Sequence, residues 1–383
     1  MDLQLTPEQA AVRELAADFV DREVVPHAAE WDRAESVDTA IVGRLGELGM
    51  LGVTIGEEHG GSGGDHLAYC LLLEELGRGD SSIRGIVSVS LGLVSKTIDM
   101  FGTDEQKQQW LPRLCSGEAL GCFGLTEPDT GSDAASLRST AKRDGGDWVL
   151  NGTKQFITNG TWAKVALVMA RTGGPGPKGV TAFLVPTGSP GFTATEIKGK
   201  LGLRGQATAA LHLQDVRVPD SCRLGDEGQG FTVAMAALAK GRMSLAAGCV
   251  GICAGCLRAS TEYATQREQF GRPIAGFQLV QELIADMAVE ADAARLLVWR
   301  VADLIDRGRP FGKEASMAKL YASEAAVRAA NSAVQVFGGY GYIDEYPVGK
   351  YLRDARVTTV YEGTSQIQKL LIGRMLTGVN AFR

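Results

Sequence analysis

Histidine is scarce in this chain. Only His27, His59, His66 and His212 occur among 383 residues. None stands beside a serine or cysteine that could act as a nucleophile, so hydrolysis of the triad kind has little support. A surplus of positive charge is missing too: 39 Lys and Arg against 45 Asp and Glu leave a net charge of −6, whereas a phosphate-backbone binder needs a basic face. Nucleic acid is therefore excluded as a partner, and small molecules or other copies of the chain are expected. No stretch approaches the roughly 18 uninterrupted apolar residues of a membrane span. The opening "MDLQLTPEQAAVRELAADFV" has acids early and no basic segment leading into an apolar one, so no membrane association, no targeting peptide and a cytoplasmic location are the expectations. The seven cysteines are odd in number and scattered, which suggests reduced thiols. Three of them, Cys249, Cys253 and Cys256, lie in "GCVGICAGC" with no histidine near, among small packing residues. They read as buried structural residues, not as a metal site.

What is present is an ordinary globular composition, 45% hydrophobic and 22% charged, long enough for two or three domains. Thr6, Pro7 and Gln9 have the form of a capping box with proline in the first turn. Val12, Leu15, Ala16 and Phe19 follow at helical spacing. After the glycine-rich break "GEEHGGSGGD" a second helical stretch runs to about Leu114, so residues 1–120 read as an N-terminal helical domain. From Gly121 the texture changes to short β-rich runs bounded by Gly, Pro, Asn and Ser, with Ala209, Leu211 and Leu213 alternating as on a half-buried strand. Residues 121–230 read as a middle β-domain. Residues 231–383 are alanine-rich with long helical periodicity, apolar on more sides than a surface layer needs, as in a bundle buried in an oligomer. The expected fold is thus mostly α with a central β-domain.

"GPGPKG", with Gly174, Gly176 and Gly179, has dinucleotide-fingerprint spacing, yet it carries two prolines and leads into a β-like run. Without a strand-turn-helix context it is a turn. Five other stretches are more telling: "GCFGLTEPDTGSD" (121–133), "NGTKQFITNG" (151–160), "REQFGRPIAGFQ" (267–278), "QVFGGYGYIDEYPVGKYLRD" (335–354) and "YEGTSQIQ" (361–368). In this order and at these separations they resemble the acyl-CoA dehydrogenase family of flavoproteins over essentially the whole chain.

That resemblance implies a helical, β-barrel and four-helix-bundle layout, FAD as cofactor, and α,β-desaturation of an acyl thioester. In such a reaction a base removes the α-proton while the β-hydrogen leaves as hydride to the flavin. The base implied is Glu362. Tyr361 and Gly363 on either side would give an aromatic wall and a close approach for thioester and flavin. Some relatives carry the base instead on the helix that here reads "LAKGRMSLAAG", but Gly241 stands at the matching position and cannot accept a proton. The implied FAD contacts are Phe123, Leu125, Thr126 and Ser132, with Ser132 also near the thioester; Phe156 and Thr158 beside the ring, where the family often has tryptophan at the first; Arg267, Gln269, Phe270 and Gln278, with Gln335, Gly338 and Gly339, around the adenine dinucleotide across a subunit boundary; and Thr364 and Gln366. A homotetramer and an electron-accepting flavoprotein are the implied partners.

The acyl group is less determined. A short-chain or branched saturated acyl-CoA is the default. Arg242 matches a position common in the family and does not discriminate. Arg84, in "DSSIRGIVSVS", matches a position where glutaryl-CoA dehydrogenase and a carrier-protein-linked relative have arginine. It either holds a carboxylate or polar tail by a charge-assisted pair or is a surface or inter-helix salt-bridge arginine. Gly77 stands where glutaryl-CoA dehydrogenase has a polar partner. An oxidase of the same fold and a non-catalytic scaffold are the rival readings.

Overall fold

The computed structural model describes residues 3–381. Helix α1 (Pro7–Phe19) opens with the expected capping box: Thr6 Oγ1 accepts from the Gln9 amide and Gln9 Oε1 from that of Thr6. Ala16 and Phe19 are buried, but Leu15 is 42% exposed; the chain then enters a π-helical turn, Val20–Val24, and continues as α2 (Val25–Ala34). Then come α3 (Ala40–Glu47), α4 (His66–Gly79), α5 (Ser81–Val87), a π-helical stretch Ser88–Ser95, α6 (Lys96–Phe101) and α7 (Asp104–Cys115). Asp80 caps α5 through the amides of Ser82 and Ile83. Its other oxygen meets Lys350 at 2.9 Å, and Lys350 also pairs with Asp354 at 2.6 Å. This buried network ties the start of α5 to the C-terminal helices.

Strands follow: β1 (Gly121–Gly124), β2 (Thr140–Asp144), β3 (Asp147–Thr158), β4 (Val165–Arg171), β5 (Val180–Pro186), β6 (Phe192–Glu196), β7 (Thr208–Pro219) and β8 (Arg223–Leu224). They form one sheet in the order β6-β7-β3-β2-β4-β5-β8, with β1 parallel to β4. Ala209, Leu211 and Leu213 alternate inward on β7 as their spacing predicts. Along β4 the alternation serves two cores: Val165, Leu167 and Met169 join the helices, while Ala166, Val168 and Ala170 pack inside the sheet. The pairing of β3 with β7 is irregular between Lys154 and Ile157. In that interval Phe156 takes a left-handed φ of 60°, and such a bulge re-aims the side chain it carries.

The C-terminal part holds α8 (Gly230–Gln266), a hairpin of β9 (Glu268–Gln269) and β10 (Arg272–Pro273), α9 (Gln278–Asp306), α10 (Gly312–Phe337), α11 (Val348–Thr358) and α12 (Ser365–Thr377). Among the described residues α8 is the one helix long and apolar enough to cross a membrane by length and composition. However, 78% of its apolar window is buried, against α10, α4 and α9, which is the burial of a core helix. The three cysteines of "GCVGICAGC" are buried within it, and no metal-binding cluster occurs among the described residues. "GPGPKG" forms a turn ending in a short 3-10 segment before β5.

Candidate active site

A cavity of about 620 Å³ lies where the helices meet the sheet. The loop from Leu125 to Asp133 forms one wall and is fastened from behind. Lys154, wholly buried, reaches Glu127 at 2.7 Å; Glu127 also accepts from the amides of Arg138 (2.6 Å) and Ser139 (2.9 Å), and Thr126 O from that of Gln155. This brings Leu125, Thr126 and Ser132 to the cavity, beside Phe123 of β1 and Phe156 and Thr158 of β3. Phe156 is 64% exposed. Arg84, Arg242, Tyr361, Glu362 and Gly363 complete the set.

Glu362 sits in the short turn between α11 and α12 with φ at 56°, followed by Gly363 at 87°. A left-handed glutamate is sparsely populated and persists only where its surroundings hold it. Its Oε2 is buried with no hydrogen-bond partner. Burial pushes the carboxyl up to about 7, against the opposing pull of Arg242, Lys319 and Arg84. A carboxylate in that range is poised to exchange a proton near neutral pH. Arg242 Nε is likewise buried without a partner, and burial lowers the affinity of its guanidinium for the proton. A Cβ on Gly241 would collide with Glu362 Oε2 and stand 2.8 Å from Leu93 Cδ2. Glu362 therefore already occupies the space that a side chain at 241 would need.

Arg84 is 3% exposed, and its guanidinium donates to Ser88 Oγ (3.1 Å) and to the phenolic oxygen of Tyr361 (2.6 Å). Both partners are neutral, so the salt-bridge alternative is overturned: the residue is neither on the surface nor paired with an acid among the described residues. Its stem lies on Gly248 of α8, where a Cβ would come within 2.7 Å of Arg84 Cδ. Gly77 meets the backbone of Gly248 from α4 inside van der Waals distance of any added Cβ. No polar side chain can stand at position 77 in this packing.

The other candidates lie elsewhere. Arg267, Gln269, Gly338 and Gly339 line a second, open cavity of about 550 Å³, with the Arg267 guanidinium 5.4 Å from the Tyr340 ring centre. Phe270 projects from the hairpin, 94% exposed, and Gln278 and Gln335 are exposed nearby in sequence. Thr364 caps α12 by accepting from the Ile367 amide, and Gln366 is exposed beyond it.

Three acyl-CoA dehydrogenase domain families match in chain order: the N-terminal domain over 6–118, the middle domain over 122–216 and the C-terminal domain over 228–377. The chain belongs to the acyl-CoA dehydrogenase family. It is 44% identical to the rat (Rattus norvegicus) mitochondrial short-chain specific acyl-CoA dehydrogenase, over 97% of this chain and 90% of that one. The structure of butyryl-CoA dehydrogenase from Megasphaera elsdenii matches with a TM-score of 0.96 at 41% identity, covering 98% and 100% of the two chains. That of glutaryl-CoA dehydrogenase from Mycobacterium smegmatis matches at 0.94 and 42%, covering 99% and 97%.

Acyl-CoA dehydrogenases are FAD-dependent oxidoreductases, and the residues here fit that cofactor. The larger cavity offers an exposed aromatic face beside hydroxyl and backbone donors. Cβ positions built on Gly131 there, and on Gly338 and Gly339 at the second cavity, meet nothing within 4 Å, so backbone faces open space where a ligand can approach. Three residues that bond to the cavity's lining segments escaped the motif reading: Lys154, on Glu127, and Lys319 and Gln368, on the backbone of the turn at 362–363. Lys319 had a signal. It shares helical phase with Ala315, Ala322 and Ala326, and a lysine on an otherwise alanine stripe has no packing reason to be there.

Proposed function

We propose that this dehydrogenase desaturates a short acyl thioester at its α,β bond, with Glu362 as the base. The observation that carries this reading is the unpartnered Glu362 oxygen facing a cavity, in a carboxyl pushed up to about 7 by burial. Bound FAD supplies the hydride acceptor. Glu362 takes the α-proton; its desolvation makes it a stronger base than a free glutamate, and the flanking cations limit how far it stays protonated. Phe123, Leu125, Thr126, Ser132, Phe156 and Thr158 would hold the flavin end. Arg267, Gln269, Phe270, Gln278, Gln335, Gly338 and Gly339, with Thr364 and Gln366, would meet the dinucleotide end, partly across a boundary with a second copy in a homotetramer. Ser132, Arg242 and Gly363 lie on the thioester side, and a flavoprotein takes the electrons onward.

Arg84 favours an acyl group with a carboxylate or other acceptor at its tail. A buried guanidinium with two neutral partners keeps a charge to satisfy, and a carboxylate would do so by charge-assisted hydrogen bonds. The test is anaerobic mixing of the yellow holoenzyme with butyryl and glutaryl thioesters, following loss of flavin colour. Glu362→Gln should bind both yet bleach at least about a thousandfold more slowly; rapid residual bleaching would move the base elsewhere. Arg84→Leu should lose about a hundredfold on the glutaryl thioester, with only a few-fold effect on the butyryl one. Equal losses would remove the tail preference.

A further inference from the structure

The two left-handed residues at 362 and 363 leave their carbonyls pointing inward, and side chains from two other elements take them. Lys319 Nζ, from the buried face of α10, donates to Gly363 O at 2.8 Å. Gln368 Nε2, from α12, donates to Glu362 O at 3.0 Å and to Gly363 O at 3.1 Å. Lys319 has no carboxylate within ion-pair distance among the described residues, and Gln368 is fully buried with its Oε1 unpartnered. Burying an ammonium without an acid beside it is expensive, and its hydrogen bond goes to the backbone of the turn that carries Glu362.

We propose that Lys319 and Gln368, from two different helices, clamp the Glu362–Gly363 turn as positioning residues that aim the carboxylate into the cavity, with Lys319 also placing a positive charge near it. This rests on Glu362 being the base. The groups facing the pair are Tyr69 from α4, Arg84 from α5, Arg242 and Cys249 from α8, Glu324 from α10 and Tyr361 next to Glu362 in the turn. Burial pushes Lys319 down to about 8, so it is still charged where Glu362 titrates. Taking it away removes a cation that favours the ionised carboxylate, and the acid limb of the rate profile moves to higher pH.

The experiment measures flavin reduction by butyryl thioester against pH in Lys319→Met, Lys319→Arg, Gln368→Met and Glu362→Gln holoenzymes. Lys319→Met should slow reduction by about tenfold to a hundredfold with little change in thioester affinity, and shift the acid limb upward. Lys319→Arg should keep the limb near its original place. Gln368→Met should slow reduction with the limb unmoved. If Lys319→Met reduces at the original rate with the original limb while Glu362→Gln is inert, the clamp is wrong and the base assignment stands. If Glu362→Gln still reduces quickly, the base assignment itself falls. Should Lys319→Met not accumulate folded, Gln368→Met decides: an unchanged rate overturns the clamp, and a loss of about tenfold supports it.

Discussion

Glu362 sits among side chains of α5, α8, α10 and α12 from one chain, whereas Phe270 stands on a short hairpin, 94% exposed, next in sequence to Gln269 of an open cavity. The first region keeps Glu362 Oε2, Arg242 Nε and Gln368 Oε1 buried and unpaired; the second has glycine backbone and an aromatic ring turned outward. If Glu362 acts as proposed, chemistry at the first needs groups aimed to within a fraction of an ångström, which only a packed interior provides. Under the proposed function, holding the dinucleotide at the second is shared with another copy, which leaves it unfinished in a single chain.

The sharpest way to break this contrast is to crowd the closed region. Gly241→Glu would drive a second carboxylate against Glu362, and thioester-dependent flavin reduction should fall by more than about a hundredfold. Adding Glu362→Gly should recover part of the rate, since the space then holds one acid again. Next in size is the fastening of the cavity wall. Lys154→Met leaves Glu127 buried without its cation and should cost about 3 kcal/mol in denaturant unfolding; a loss near zero would mean the loop is held by its backbone bonds alone. A smaller effect comes from Glu362 itself. Its carboxyl titrates at 4.5 in the unfolded chain and about 7 in the folded one, so ionising it costs nothing below about 4.5, progressively more up to 7, and the full amount above. Glu362→Gln should therefore stabilise the protein by about 1–3 kcal/mol at pH 8 and by almost nothing at pH 4.5. Thermal melts at the two pH values check this. Smallest is Phe270→Ala, expected to change protomer stability by less than about 0.5 kcal/mol while making FAD leave more readily on dilution. Equal FAD retention would show that the two regions do not divide the work.

The fold was legible wherever local chemistry decides it. The Thr6 capping box, the alternation on β7 and the turn at "GPGPKG" all depend on neighbours within a few residues. Motif resemblance led to the family and to FAD. Hidden from a linear reading were features that depend on distant contacts: the π-helical stretch Ser88–Ser95 beside the cavity, the pairing of Lys154 with Glu127 from 27 residues away, and the reach of Lys319 to a carbonyl 44 residues on. Arg84 shows the limit plainly. Its sequence context left two readings open, and only its burial beside Ser88 and Tyr361 removed one.

The contact of Gly77 with Gly248, and of Gly248 with the Arg84 stem, has an evolutionary corollary. That end of the pocket rests on main chain, which no substitution can pare back. Under the proposed function, a descendant accommodating a bulkier acyl group would have to sacrifice Arg84 outright or hollow out the lining at Phe231, Met235 and Leu238, so chain-length preference should diversify in abrupt jumps instead of by gradual widening.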